Sequence, residues 1–181
     1  LPMRELLWSK YWTGTLPLLI LALAIVGALS IPGAKPPMGK VYSTPVGGRL
    51  TLVLKDGSQI ELNTNTTLRL PAGNIRHAIL EKGEAYFQIR HDAARPFEVA
   101  AGGNRIVDLG TKFSVRASAG SIKVSLIEGS AKVESENPAE SANAVILKPG
   151  DVALATASSL TVSRKPQAAL ADQLAWRNGM L

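Results

Sequence analysis

From Leu50 onward, apolar and polar side chains alternate with a period of two. Leu50, Leu52 and Leu54 open the series, followed by Ile60 with Leu62 and Leu68 with Leu70. Ala85, Phe87 and Ile89 continue it, then Phe97 with Val99 and Phe113 with Val115. Ile122, Val124 and Leu126, then Val152 with Leu154 and Leu160 with Val162, complete it. The runs are short, and Gly, Pro, Asn or Asp bounds them. Successive side chains of a strand point to opposite faces, so the pattern predicts short, half-buried strands joined by tight turns.

A weak repeat runs through these strands. Leu-x-x-Gly occurs at Leu54–Gly57, Leu80–Gly83, Leu126–Gly129 and Leu147–Gly150. Glycine there supplies the positive φ that a hairpin or corner needs. The spacings are near one, two and one units of about 23 residues, a period that suggests stacked rungs. The expected fold is therefore all-β, a twisted β-solenoid-like roll, with a β-sandwich as the alternative. Ala117–Ser121 and Ser135–Asn143 are polar and predict loops. Gln167–Trp176 predicts a short helix with Leu170 and Leu174 on one face, ended by Asn178-Gly179.

The N-terminal region has a different pattern. Between Lys10 and Lys35 lie 24 residues without a charge, and Leu16–Ile31 is nearly all apolar. About 20 apolar residues in a helix cross the hydrocarbon core of a bilayer. Trp8, Tyr11 and Trp12 stand where an aromatic belt meets the headgroups. Residues 11–34 are thus expected to form a transmembrane helix, ahead of a cleaved signal peptide with Ala28-Leu29-Ser30 as its cleavage site. The predicted organisation is a cytoplasmic flank (1–10), the span (11–34), a linker (35–40), a β domain (41–165) and a C-terminal helix (166–181). Charge does not orient the span: Arg4 and Lys10 precede it, and Lys35 and Lys40 follow it. The first residue is Leu1, so a truncated upstream segment is expected.

Composition narrows the chemistry. The 181 residues contain no cysteine, which removes disulfides and thiol chemistry. Net charge is +6. The basic residues are scattered beside acidic ones, without aromatic interleaving, so nucleic acid is not an expected partner. His77 and His91 are the two histidines, and neither has a partner at metal-ligand spacing. No nucleophile elbow, phosphate loop or dinucleotide fingerprint occurs. No cofactor and no ordinary enzyme activity are expected. A hydrolase built on Asp92 and Glu98 is a third-ranked reading, and His91-Asp92 is read as a strand end and turn. Gly110-Thr111 is the one segment with chemistry of its own. A Thr hydroxyl after Gly can attack the preceding carbonyl, turn the amide into an ester and let water cleave it. From the dipeptide alone, a bulge or turn at Gly110 followed by a plain strand residue at Thr111 is the stronger reading.

An ordered series of motifs resembles the FecR-type domain. Tyr42–Gly48 followed by Leu54-x-Asp56-Gly57-Ser58-x-Ile60-x-Leu62-Asn63 is similar to its opening. Leu80-Glu81-x-Gly83-Glu84-Ala85-Tyr86-Phe87 is similar to its next signature. His91-Asp92-x-x-Arg95-Pro96-Phe97-x-Val99 and Leu109-Gly110-Thr111-x-Phe113-x-Val115 match most strongly. Val124-x-Leu126-x-Glu128-Gly129, Leu147-x-Pro149-Gly150-Asp151 and Trp176-Arg177-Asn178-Gly179 complete the order. The resemblance implies a single-pass anti-sigma regulator of the bacterial inner membrane, with the β domain in the periplasm. It implies an extracytoplasmic-function (ECF) sigma factor as partner through an upstream cytoplasmic segment. It also implies a TonB-dependent outer-membrane transducer, often importing an iron-siderophore, and regulatory proteases. Neither the sigma-binding segment nor a transducer-facing region is expected within these residues. Some FecR-type proteins cleave themselves at a Gly-Thr bond, which maps onto Gly110 and Thr111. An envelope module binding peptidoglycan or another glycan is the alternative function.

Overall fold

Thirteen strands carry the fold among the described residues, which are 39–137, 144–156 and 159–179 of a computed structural model. The strands are β1 (Lys40–Ser43), β2 (Leu50–Val53), β3 (Gln59–Leu62), β4 (Thr67–Leu70), β5 (His77–Gln88), β6 (Phe97–Ala101) and β7 (Asn104–Asp108). Then come β8 (Lys112–Ser118), β9 (Ser121–Glu128), β10 (Ala131–Ser135), β11 (Val145–Leu147), β12 (Asp151–Thr156) and β13 (Leu160–Arg164). A short helix α1 (Gln167–Gln173) and a 3-10 turn (Ala175–Asn178) close the chain. The expected span at 11–34 lies outside the described residues. No helix among the described residues is long and apolar enough to cross a membrane.

The strands form one curled sheet in the order β11-β10-β7-β6-β5-β8-β9-β12-β13. Strand β4, carrying β1, and strand β3, carrying β2, also pair with β5. The long β5 is the pivot. Its first half pairs with β4 and β6, and its second half pairs with β3 and β8. The break falls just after Lys82: the register with β4 shifts at Glu81, and Gly83 takes φ +87°. A bulge with glycine in the left-handed region bends a strand and increases its twist. One strand can thereby serve two halves of the sheet.

The β content agrees with the sequence pattern, but the pairing differs from a solenoid. Rungs of a solenoid stack in parallel, whereas every ladder here is antiparallel except β5–β6. That one parallel pair arises because β5 ends in the second half of the sheet. The chain then returns through Ile89–Pro96 to lie beside the start of β5. Nor are there two separate sheets, since β5 belongs to both halves. The glycines of the Leu-x-x-Gly repeat do share a conformation: Gly57, Gly83, Gly129 and Gly150 have φ between +85° and +93°. They mark corners, not rungs.

The core fills the curl. Phe87 stacks on Phe113 with ring centroids 4.9 Å apart, and Phe97 tilts against Phe87 at 6.3 Å. Ile60, Leu62, Val99, Ile106, Val124 and Leu126 surround them, all fully buried. Two predicted faces are corrected. In β12 the small residues Ala153 and Ala155 point into the core, Val152 is covered on the opposite face, and Leu154 is 45% exposed. In β13, Val162 is 42% exposed, because this edge strand has β12 on one side only. The loop expected at Ala117–Ser121 shrinks to a tight turn at Ala119-Gly120, since β8 and β9 pair as far as Ser118 and Ser121.

The C-terminal motif docks onto the sheet. Leu170 and Trp176 are buried, as the helix pattern predicts for the first of them. Arg177 grips both carboxylate oxygens of Glu61 at 2.9 and 2.6 Å. Its guanidinium also lies 3.6 Å over the Tyr86 ring. Arg49 donates to the Trp176 carbonyl. The turn ends at Gly179, φ +81°.

Candidate functional site

Gly110 and Thr111 form the bend between β7 and β8. The bend is anchored on both sides: the Leu109 amide donates to the Ser130 carbonyl at 3.0 Å, and the Ile89 amide to the Thr111 carbonyl at 3.0 Å. Gly110 has φ +99°, a region that suits glycine and costs other residues free energy. A side chain there would also meet the His91 ring, with Nδ1 2.6 Å from the Cβ position. On the other side the chain at Gly129 comes so close that a Cβ would overlap the Gly110 carbonyl oxygen and stand 2.8 Å from Thr111 Cγ2. Both glycines are thus required by close approach, a reason the dipeptide alone does not reveal.

Thr111 is buried, and its hydroxyl donates to a carboxylate oxygen of Asp108. The backbone amides of Gly110 and Thr111 lie near enough to the same carboxylate to favour its ionised form. Asp108 is itself buried at the end of β7. In the sequence this aspartate stands just before the Leu109–Val115 motif without an evident role; an acceptor three residues before a threonine is the available signal. Burial pushes its carboxyl up to about 6, against the two amides and the charges of Arg76 and His91, which pull it down. An open cleft of about 340 Å³ reaches the bend, lined by Gly57, Gln88, Arg90, Gly110, Thr111 and Glu128.

The raised value makes stability depend on pH. Folded Asp108 holds its proton up to about pH 6, whereas its ordinary value is 3.8. Between these values the folded chain binds more protons than the unfolded one, so stability falls as pH rises through the window. The order of magnitude is ~3 kcal/mol, from two units at 1.36 kcal/mol each. In a Thr111→Ala background, which keeps the chain intact, urea melts from pH 4 to 7 are expected to show the protein with Asp108 losing stability relative to the one with Asp108→Asn. A constant difference between the two proteins would refute this assignment.

Arg76 braces the region from beneath. It is buried, pairs with Asp56 at 2.5 Å and donates to the Arg90 carbonyl at 3.1 Å and to the Arg95 carbonyl. Its guanidinium lies 5.8 Å from the Phe97 ring centre. The other sequence candidates are engaged elsewhere. Asp92 pairs with Arg95 at 2.9 Å, whose hydrogen bonds hold the Asp92 carboxyl below its ordinary value. Glu98 faces His77 at 3.9 Å and Arg105 at 3.7 Å. The hydrolase pair is thus split between two separate ion pairs. No group of three or more His, Asp or Glu among the described residues could hold a metal.

Comparison with known proteins adds the family. Residues 40–132 match the family described as FecR protein. Two crystal structures of a candidate anti-sigma factor from Parabacteroides distasonis share the fold, each with TM-score 0.63 and 22% identity. The alignment covers 75% of this chain and 64% of that one. At that identity the likeness speaks for the fold. No curated protein matches.

Proposed function

Because this chain belongs to the FecR protein family, we propose that it is the signal-relay part of a membrane-bound anti-sigma regulator. The carrying observation is the family match over β1 to the start of β10, joined to an uncharged run of membrane-spanning length. In this reading residues 11–34 cross the inner membrane and the β domain stands in the periplasm. A TonB-dependent transducer delivers the stimulus, and an ECF sigma factor is released by regulated proteolysis. Alkaline phosphatase fused after Gly179 is expected to be active, as that enzyme matures outside the cytoplasm. Inactive fusions at normal expression would sink the topology. Deleting the gene is expected to change transcripts from one sigma-dependent promoter class, and an unchanged transcriptome would remove the regulatory role.

The same reading includes self-cleavage between Gly110 and Thr111. Support comes from the glycine conformation, the engaged Thr111 hydroxyl and the cleft that admits water. The sheet order predicts the fate of the two fragments. Strands β7-β6-β5 of the first fragment lie between β10 and β8 of the second. The fragments are therefore expected to separate on a denaturing gel yet co-elute under native conditions. Thr111→Ala is expected to give full-length chain alone. Full-length wild type on that gel would end the idea.

A further inference from the structure

One carboxylate at the bend holds the hydroxyl whose proton must move and lies near the amide that must receive it. Asp108 accepts from the Thr111 hydroxyl, and the backbone amides of Thr111 and Gly110 lie near enough to favour its ionised form. We propose that Asp108 is the general base of the Gly110–Thr111 rearrangement, taking the proton from Thr111 Oγ1 and returning it to the Thr111 nitrogen. The proposal rests on the self-cleavage reading and names the group that drives it.

Atoms and charge balance at each step. Thr111 Oγ1 bonds to the Gly110 carbonyl carbon while its proton passes to an Asp108 oxygen. The carbon becomes tetrahedral and carries the charge on its oxygen. The C–N bond then breaks, and Asp108 gives the proton to the departing nitrogen. The products are an ester from Gly110 to Thr111 Oγ1, a free Thr111 amine and Asp108 as it began. Water from the cleft adds to the ester, leaving a Gly110 carboxylate and the restored hydroxyl, and the proton released passes to the free Thr111 amine.

Burial suits Asp108 to this task. A desolvated carboxylate is a stronger base than an exposed one, and a base works best near the ambient pH. Arg76 and His91 are the charged or titratable groups that act on it, and both favour the ionised form that must receive the proton. The competing role is purely structural: an aspartate that accepts amides two and three residues ahead is a common turn former. Asparagine separates the two roles. Its carbonyl oxygen can still accept from the Thr111 hydroxyl, but it cannot take a proton.

The test follows cleavage of the full chain, pulse-synthesised in a cell-free system and chased at fixed pH from 5 to 8. The wild-type rate is expected to rise with pH through about 6 and then level. Asp108→Asn is expected to cleave at least 100-fold more slowly, since a positioned base contributes about 10²–10⁴-fold. Cleavage of that variant within about threefold of wild type would overturn the proposal and leave self-cleavage standing. No cleavage of wild type would fell both. Hydroxylamine opens esters without help, so speed restored to Asp108→Asn by hydroxylamine would place Asp108 after the rearrangement and refute this assignment. Should the variant fail to give wild-type near-ultraviolet dichroism, the wild-type profile decides alone: a flat rate between pH 5 and 7 overturns the proposal.

Discussion

Phe87→Ala is expected to lower stability by about 3–5 kcal/mol, the range for removing a buried aromatic ring. Phe87 sits in the second half of β5, opposite Ile60 of β3 and Phe113 of β8. Its ring stacks on Phe113 and meets Phe97, which belongs to the other half of the sheet. Truncation therefore opens a cavity where the two halves face each other. The ring pairs add about 0.5–1.5 kcal/mol beyond area burial. For a domain of this size the melting temperature is expected to drop by roughly 10–20 °C. The measurement belongs in a Thr111→Ala background, so that chain cleavage does not enter. Leu154→Ala is the control, expected to change stability by no more than about 0.5 kcal/mol because this leucine faces water. Equal effects at the two positions would show that the core is wrongly placed.

Leu154 also shows where the sequence pattern misleads. Alternation in β12 is ambiguous, since Val152 and Leu154 fit one face and Ala153 and Ala155 the other. Hydrophobicity alone selects the larger pair. The packing selects the alanines, because β12 lies against β9, where Ile122 and Val124 already fill the space. Strands with a large apolar residue on one face only, such as β3 and β6, were legible without this ambiguity. Topology was less legible. The Leu-x-x-Gly period suggested rungs, yet pairing is decided by which segments meet after β5 bends. That bend depends on Gly83 and Thr66, which lie 17 residues apart.

At the bend between β7 and β8 the sequence identified Gly110 and Thr111 but not their surroundings. Glycine-threonine alone reads first as a turn. The constraint from His91, the approach of Gly129 and the hydrogen bonds of Asp108 come from strands distant in the chain or from a local fold that spacing does not encode. Arg76 illustrates the same limit. In sequence it is an arginine beside a histidine; in the fold it is a buried cation satisfying Asp56 and two backbone carbonyls. Asp92 and Glu98 erred the other way, as two nearby carboxylates that the strands turn toward different arginines.

Gly83→Ala is expected to destabilise the domain by about 3 kcal/mol or more, although it adds one methyl group. Two penalties combine. The left-handed φ costs a residue with Cβ about 1–2 kcal/mol. The added carbon would also stand 2.6 Å from Thr66 Cα and 2.8 Å from the Asn65 carbonyl oxygen, backbone atoms that cannot rotate away. Forcing them apart adds about 1–3 kcal/mol. The shift would also disturb the corner that holds the bend. Thr66 Oγ1 accepts from the Glu84 amide at 3.0 Å and donates to the Glu84 carbonyl at 3.1 Å. The Thr66 amide in turn donates to Thr44 Oγ1 at 3.0 Å. These groups are buried, so a lost bond leaves an unsatisfied atom at about 1–3 kcal/mol. Gly120→Ala separates the penalties, since Gly120 has φ +74° with nothing near its Cβ position. It is expected to lose only the conformational share. Urea midpoints in the Thr111→Ala background are expected to fall by about 1 M or more for Gly83→Ala, and by about half as much for Gly120→Ala. Equal midpoints would mean that the close approach at Gly83 contributes nothing, and that β5 bends between the two halves of the sheet without help from its glycine.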